Sequence, residues 1–284
     1  MNNEKILLCG FADEADPMID GQIEALSQNG ITLLEIRGVD GKNISEISAD
    51  EARAVKDKLD AGGVSVWSLG SPIGKIGIDD DFDKEIKKLR HTLEIGKILG
   101  ARCIRLFSFY GTDGKAECFA EVCRRLKVYV EIASEYGIIP CHENEKGIYG
   151  DTAARCLEIH KAVPGLRAVF DPANLVQCGE NTLEAWKLLS EYVYYGHIKD
   201  ADEEGNIVPP GEGIGHIAEY LPDFVAKGCK VLTLEPHLAE FVGLAGLEED
   251  DAKSNVGKME FESNRAAFDY AVNSLKKIVE DVLC

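Results

Sequence analysis

The sequence predicts an α/β fold: eight parallel strands, each followed by a helix, closed into a (β/α)8 TIM barrel that forms one domain over residues 1–284. Three observations carry this. Short apolar runs alternate in strict order with longer amphipathic ones, and such alternation with right-handed crossovers gives a parallel sheet. Eight strand–helix units in 284 residues match the length of a closed barrel. The competing open, doubly wound sheet usually carries a Gly-rich phosphate loop after its first strand. Here that turn reads CGFADEADP, which is acidic and lacks GxGxxG.

The elements follow in order. Residues 5–11 read as the first strand, and 18–29 as a helix ended by Gly30. Residues 32–36 (TLLEI) are the second strand. A helix over 49–61 opens on Ser48 with Glu51 three residues on, a capping box, and stops at Gly62 and Gly63. The third strand is 64–69 (VSVWSL), followed by a helix over 83–99 closed by Gly100. The fourth is 102–107 (RCIRLF), followed by a long helix over 115–136 stopped by Gly137. The fifth strand, 138–142, leads to a helix over 152–162 opened by Asp151. Strand six is 167–170 with a helix over 182–190, strand seven is 192–198 with a helix over 214–227, and strand eight is 230–234. An irregular stretch, 241–258, precedes a final helix over 261–282.

Composition narrows the function. The formal net charge is −19, a surface that repels phosphate backbones and anionic membranes, so neither nucleic acid nor membrane is expected as a partner. The nine cysteines are odd in number and form no CxxC; several lie in apolar runs, as reduced small hydrophobes of a cytoplasmic protein do. The N-terminal residues fit neither a secretory signal nor a transmembrane span.

Barrel enzymes place their reactive groups at the C-terminal ends of the strands. Strand five ends in His142-Glu143-Asn144-Glu145, strand six in Asp171-Pro172-Ala173-Asn174, strand seven in His197-Ile198-Lys199-Asp200 and strand eight in Glu235-Pro236-His237. Neighbouring strands lie about 4.8 Å apart, so groups at four adjacent ends can converge. Three carboxylates crowded together repel, and a divalent cation removes that cost. Glu143, Asp171, His197 and Glu235 are therefore the candidate ligands, a set that suits Mn²⁺, Mg²⁺, Co²⁺ or Zn²⁺. A single acid at a strand end is more often a helix cap, and for Asp171 capping and ligation stay open together. A lone histidine such as His142 or His160 is more often structural. Arg37, Lys75, Arg105 and Lys199 occupy the rim as candidate substrate contacts, and Lys199 shares the inward face with His197. The segment DEEGNIVPPGEGIG, with two prolines and four glycines, reads as a shaped loop over the rim.

The motifs HENEKGIYGDT, VFDPANL, HIKDAD with VPPGEG, and LEPHL resemble the xylose isomerase-like TIM barrels. Within them they resemble the sugar phosphate isomerase/epimerase group, which shares a fold with endonuclease IV. The resemblance covers nearly the whole chain. It implies one divalent ion per chain, manganese first, on Glu143, Asp171, His197 and Glu235. It also implies that Glu143 and Glu235 move the substrate proton from opposite faces, and it puts Asn174 at the position of a substrate-binding residue; His237, at the rim of strand eight, is a further candidate substrate contact. The activity implied is isomerisation or epimerisation of a sugar, sugar phosphate or cyclitol by proton abstraction next to a carbonyl, through an enediolate. An inosose-type dehydratase on the same site is the alternative, and an endonuclease IV-like repair enzyme is the more distant one. Three positions depart from the ketose 3-epimerases: Asn174 stands where they have His, Glu203 where they have Arg, and Tyr149 where they have Glu. The resemblance further implies a homodimer or homotetramer, with 241–258 as a candidate contact.

Overall fold

The computed structural model describes residues 6–244 and 259–283. Eight strands close into a parallel barrel in which each pairs with its sequence neighbours and the last returns to the first. They are β1 (Leu7–Gly10), β2 (Leu33–Ile36), β3 (Ser65–Leu69), β4 (Cys103–Leu106), β5 (Ile139–Glu143), β6 (Arg167–Phe170), β7 (Val193–Ile198) and β8 (Val231–Leu234). Around them run α1 (Ile19–Gln28), α2 (Ala49–Ala61), α3 (Phe82–Leu99), α4 (Phe119–Tyr136), α5 (Ala153–Ala162), α6 (Pro172–Gln177), α7 (Thr182–Leu189), α8 (Ile217–Ala226) and α9 (Asn264–Leu283).

The strands are apolar on both faces because both faces are covered. Cys9, Cys103, Cys141, Val169, Tyr195 and Val231 fill the barrel interior as a small separate core. Leu34, Ile104, Leu106, Phe170, Ile198 and Leu234 alternate with them and join the larger core under the helices. The period-two alternation then fixes what reaches the rim. Two residues beyond the interior layer, Arg105, Glu143, Asp171 and His197 continue the same inward face, as does Glu235 four beyond Val231.

Local chemistry sets the helix ends. The capping box forms as read: Ser48 accepts from Glu51 N–H and the Glu51 carboxylate accepts from Ser48 N–H. Gly137 ends α4 in the left-handed region, at φ 69°, where a side chain would be strained. The structure differs from the sequence reading at several helix starts and in one added helix; the last helix, for instance, begins at Asn264 and not at residue 261. Residues 116–118 form a separate 3₁₀ turn, so α4 starts later. Thr152, not Asp151, caps α5, while Asp151 pairs with Arg155. A short helix, α6, follows β6. The helix read as starting at residue 214 starts at Ile217, and the residue before it, His216, adopts φ 53°.

Residues 245–258 of the irregular stretch lie outside the described residues, and so does Cys284. No helix among the described residues is long and apolar enough to cross a membrane.

Candidate metal centre

The four candidate ligands meet at the C-terminal mouth of the barrel. Glu143 ends β5, Asp171 and Glu235 lie one residue past β6 and β8, and His197 lies in β7. All four are buried, and one ligand atom from each falls within 4.8 Å of the others. His197 Nδ1 stands 2.9 Å from Glu143 Oε1, 3.4 Å from Glu235 Oε2 and 3.9 Å from Asp171 Oδ2.

The backbone aligns these groups in pairs. The Asn144 side chain donates to the Asp171 carbonyl at 2.8 Å and accepts from Asp171 N–H at 3.0 Å, fastening the end of β5 to the end of β6. Asp171 Oδ1 accepts from Asn174 N–H at 2.9 Å and so caps α6, whose first residue is Pro172. Its other oxygen faces the cluster. The cap, which the sequence left open against ligation, thus takes one oxygen of the carboxylate and leaves the other facing the cluster.

Charge argues for a cation. Six buried carboxylates (Asp13, Glu14, Glu35, Glu143, Asp171, Glu235) share the mouth with the three permanent cations Arg37, Arg105 and Lys199. Before any proton is taken up, these nine groups leave three negative charges over in a region shielded from water. Protonation shows the strain. Burial, with Glu143 and Glu235 adding to it against Lys199, pushes Asp171 up to about 7. Burial pushes Glu14 up to about 8 despite Arg37. Burial disfavours charge on His197, yet Glu143 and Glu35 outweigh it and hold the ring well above its ordinary range. Glu143 and Glu235 move the other way. Against the same burial, His197 and Arg105 bring Glu143 down to about 2, and Lys199 leads the groups that hold Glu235 well below its usual value. Glu143 Oε2 and Asp171 Oδ2 make no hydrogen bond, although Arg105 Nη1 lies 3.2 Å from the first and Lys199 Nζ 3.0 Å from the second. Three carboxylates, one imidazole nitrogen and a surplus of buried negative charge fit a divalent cation.

The other rim candidates separate. Arg105, Asn174, Lys199, His237 and Lys75 line one narrow cavity with Glu143, Glu145 and Glu235. Asn174 Nδ2 lies 3.4 Å from Glu143 Oε1, and Lys75 lies 3.3 Å from Glu145 Oε2. Arg37 does not line that cavity. Its guanidinium is taken up by Asp13, Glu14 and Glu235 at 2.8, 3.0 and 2.9 Å, between the rings of Phe11 and Phe241. Of the three departures from the 3-epimerases, only Asn174 reaches the site. Tyr149 donates to Glu158, and Glu203 is exposed on its loop.

Sequence reasoning missed Asp13, Glu14 and Asp200. The first two stand in the acidic run after β1, the one available signal. Asp200 gathers the loop after β7: its carboxylate accepts from the N–H groups of Ala201, Gly211, Gly213 and Gly215 at 2.9, 2.8, 3.2 and 2.9 Å. The loop also forms a two-stranded ribbon, Asp200–Ala201 against Ile207–Val208.

The sequence family described as "Xylose isomerase-like TIM barrel" matches residues 23–257. No curated protein matches the chain by sequence. Among solved structures, a D-psicose 3-epimerase in the presence of D-fructose is 17% identical with a TM-score of 0.74, covering 98% of this chain and 99% of that one. The IOLI protein with a binding zinc atom is 16% identical with a TM-score of 0.72, covering 98% and 99%. The probable 3-DHS dehydratase AsbF of Bacillus anthracis is 16% identical with a TM-score of 0.71, covering 99% and 100%. At these identities the likeness shows the fold.

Proposed function

The chain belongs to the xylose isomerase-like TIM barrel family, and from that premise we propose a divalent-metal-dependent isomerase or epimerase of a sugar, sugar phosphate or cyclitol. One observation carries this reading. Two buried glutamates on non-adjacent strands, Glu143 and Glu235, flank His197 and open into the same cavity, each held ionised by neighbouring cations.

Glu143, Asp171, His197 and Glu235 would hold the ion, manganese foremost. When bound, it polarises the substrate carbonyl and acidifies the hydrogen on the adjacent carbon. One glutamate removes that proton. Its counterpart, protonated in that turn of the cycle, delivers a proton to the opposite face of the enediolate for epimerisation. Delivery to the neighbouring carbon, with the hydroxyl proton passing to the former carbonyl oxygen, gives isomerisation. Lys199, Asn174, Arg105, His237 and Lys75 are the proposed substrate contacts. Arg37 acts through Glu235, which it holds in place. The cations that line the mouth already face carboxylates, which favours an uncharged polyhydroxy substrate over a phosphorylated one. The proposed protein is cytoplasmic and assembles as a homodimer or homotetramer, which light scattering on the purified chain would check.

A specific observation keeps the dehydratase as a second reading. The residues at 149 and 203 do not reach the cavity, so the substrate grip of a ketose 3-epimerase is not reproduced. Loss of a β-hydroxyl after the same proton abstraction needs no such grip.

The test is incubation of the Mn²⁺-supplemented protein with ketoses, their phosphates and inososes in D₂O, followed by NMR. The reading expects deuterium at the carbon beside the carbonyl and its loss in Glu143→Gln. Loss of water from the product selects the dehydratase. Turnover without deuterium uptake would remove both.

A further inference from the structure

A further carboxylate lies beneath the cluster with no part in the chemistry above. Glu35 stands on β2, across the barrel from β7, and is fully buried. Its Oε2 lies 3.2 Å from His197 Nε2, and its Oε1 accepts from the Tyr195 hydroxyl at 2.8 Å. That hydroxyl lies 3.1 Å from Ser68 Oγ on β3. Phe11 meets the His197 ring edge-on, with centroids 5.3 Å apart, and Tyr195 packs against it at 5.5 Å, which hinders rotation of the ring.

A neutral imidazole has one lone pair to offer a cation. Which nitrogen carries it is set by what the other nitrogen bonds. A carboxylate oxygen only accepts, and the ring meets one on each side: Glu143 Oε1 is 2.9 Å from Nδ1 and Glu35 Oε2 is 3.2 Å from Nε2. An ion held among Glu143, Asp171 and Glu235 would take the Nδ1 side in place of a hydrogen, and Glu35 would keep the remaining hydrogen on Nε2. The lone pair then sits on Nδ1, the nitrogen that faces Glu143, Glu235 and Asp171. Without Glu35, the ring could equally carry its hydrogen on Nδ1 and present an N–H to the ion.

We infer that Glu35 is the positioning residue that makes His197 a metal ligand, fixing its tautomer and aim, with Tyr195 and Ser68 fixing Glu35 in turn. The inference rests on the metal reading above. It differs from a purely structural tie between β2 and β7, which would change stability and leave the ion's affinity alone.

The test compares the wild-type protein with Glu35→Gln, Glu35→Ala and Tyr195→Phe. Thermal melts in chelator confirm that each variant folds. Zn²⁺ and Mn²⁺ affinities are then measured by chelator competition, and long-range ¹H–¹⁵N spectra of the Zn²⁺-loaded protein report the His197 ring. The wild-type ring should show an Nε2–H and a zinc-bound Nδ1. Glu35→Ala should bind either ion about 10- to 100-fold more weakly. Glu35→Gln, whose carboxamide oxygen still accepts from Nε2–H, should lose less, and Tyr195→Phe least. If Glu35→Ala fails to fold, Glu35→Gln and Tyr195→Phe decide. Unchanged affinity in the folded variants, or zinc on Nε2 in the wild type, overturns the inference and leaves the metal reading standing. A wild-type protein that takes up no divalent ion overturns both.

Discussion

Asp171 shows how one residue can serve fold and site together. Oδ1 caps α6 and Oδ2 faces His197 and Lys199, so the two roles separate by substitution. Asparagine keeps an oxygen for the cap and removes the charge. Alanine removes both. We expect Asp171→Asn and Asp171→Ala each to lose the bound ion, read as metal content by mass spectrometry after dialysis. In chelator, urea unfolding should show Asp171→Ala less stable than Asp171→Asn by about 1 kcal/mol, the usual worth of an N-cap. Retention of a full complement of metal by both would remove Asp171 from the ligand set. The sequence exposed this residue as cap or ligand because an acid at a strand end can close an Asx-turn and the strand end marks the rim. It could not show that the geometry allows both.

At the level of elements, the sequence was most informative where periodicity runs long and least where a single side chain organises the backbone. The eight strands and the longer helices were legible from alternation and glycine stops. The six-residue α6 was not, because so short a helix has no periodic face. The loop after β7 was legible as a loop, but its organiser was not. Asp200 binds N–H groups up to fifteen residues ahead, and a carboxylate's partners leave no mark when they are backbone. Gly213 leaves room for this: a Cβ there would lie 2.3 Å from the Ala201 carbonyl and 2.4 Å from Asp200 Oδ1. Asp200→Ala should therefore free the amides of Gly211, Gly213 and Gly215. Their hydrogen exchange should accelerate while the amides of β8 keep their protection. Unchanged exchange at all three glycines would mean that the loop is held by its ribbon alone.

Across the whole molecule, the cluster of Glu143, Asp171, His197 and Glu235 was legible because its members continue the inward face of adjacent strands, a property of each strand by itself. Glu35 and Arg37 were legible as rim groups at the end of β2, but their pairing with His197, Tyr195, Asp13 and Glu14 was not, since these come from across the barrel or from a loop, and closure alone brings them together. The same closure buries His142 and His160 on the outer side of β5, away from the cavity. His142 Nε2 lies 3.0 Å from Ser108 Oγ, the two rings meet edge-on at 5.8 Å, and His160 stacks on Tyr192 at 5.1 Å. Burial holds His142 down to about 3 and His160 down to about 4. In the unfolded chain both return to about 6.5. Between those values the unfolded state binds the extra protons, so stability rises with pH there. Each contribution is complete above about pH 6.5 and is lost as pH falls, by up to about 1.4 kcal/mol per pH unit for each ring. Glu14 and Asp171, raised by burial, act in the opposite sense. They retain protons in the folded state that the unfolded chain gives up above about pH 4.5, so they lower stability as pH rises toward 7 and 8. The opposed slopes mask each other in the wild-type curve, so the histidine contribution has to be read as a difference. His160→Phe keeps an aromatic ring against Tyr192 and removes one titrating group. Relative to wild type, it should gain stability steadily as pH is lowered from 6.5 to 4.5, by roughly 1 kcal/mol per pH unit in urea titrations. Parallel curves across that range would show that the ring titrates in the folded barrel as it does in water, and the account of His160 as a buried neutral packing group would have to be abandoned.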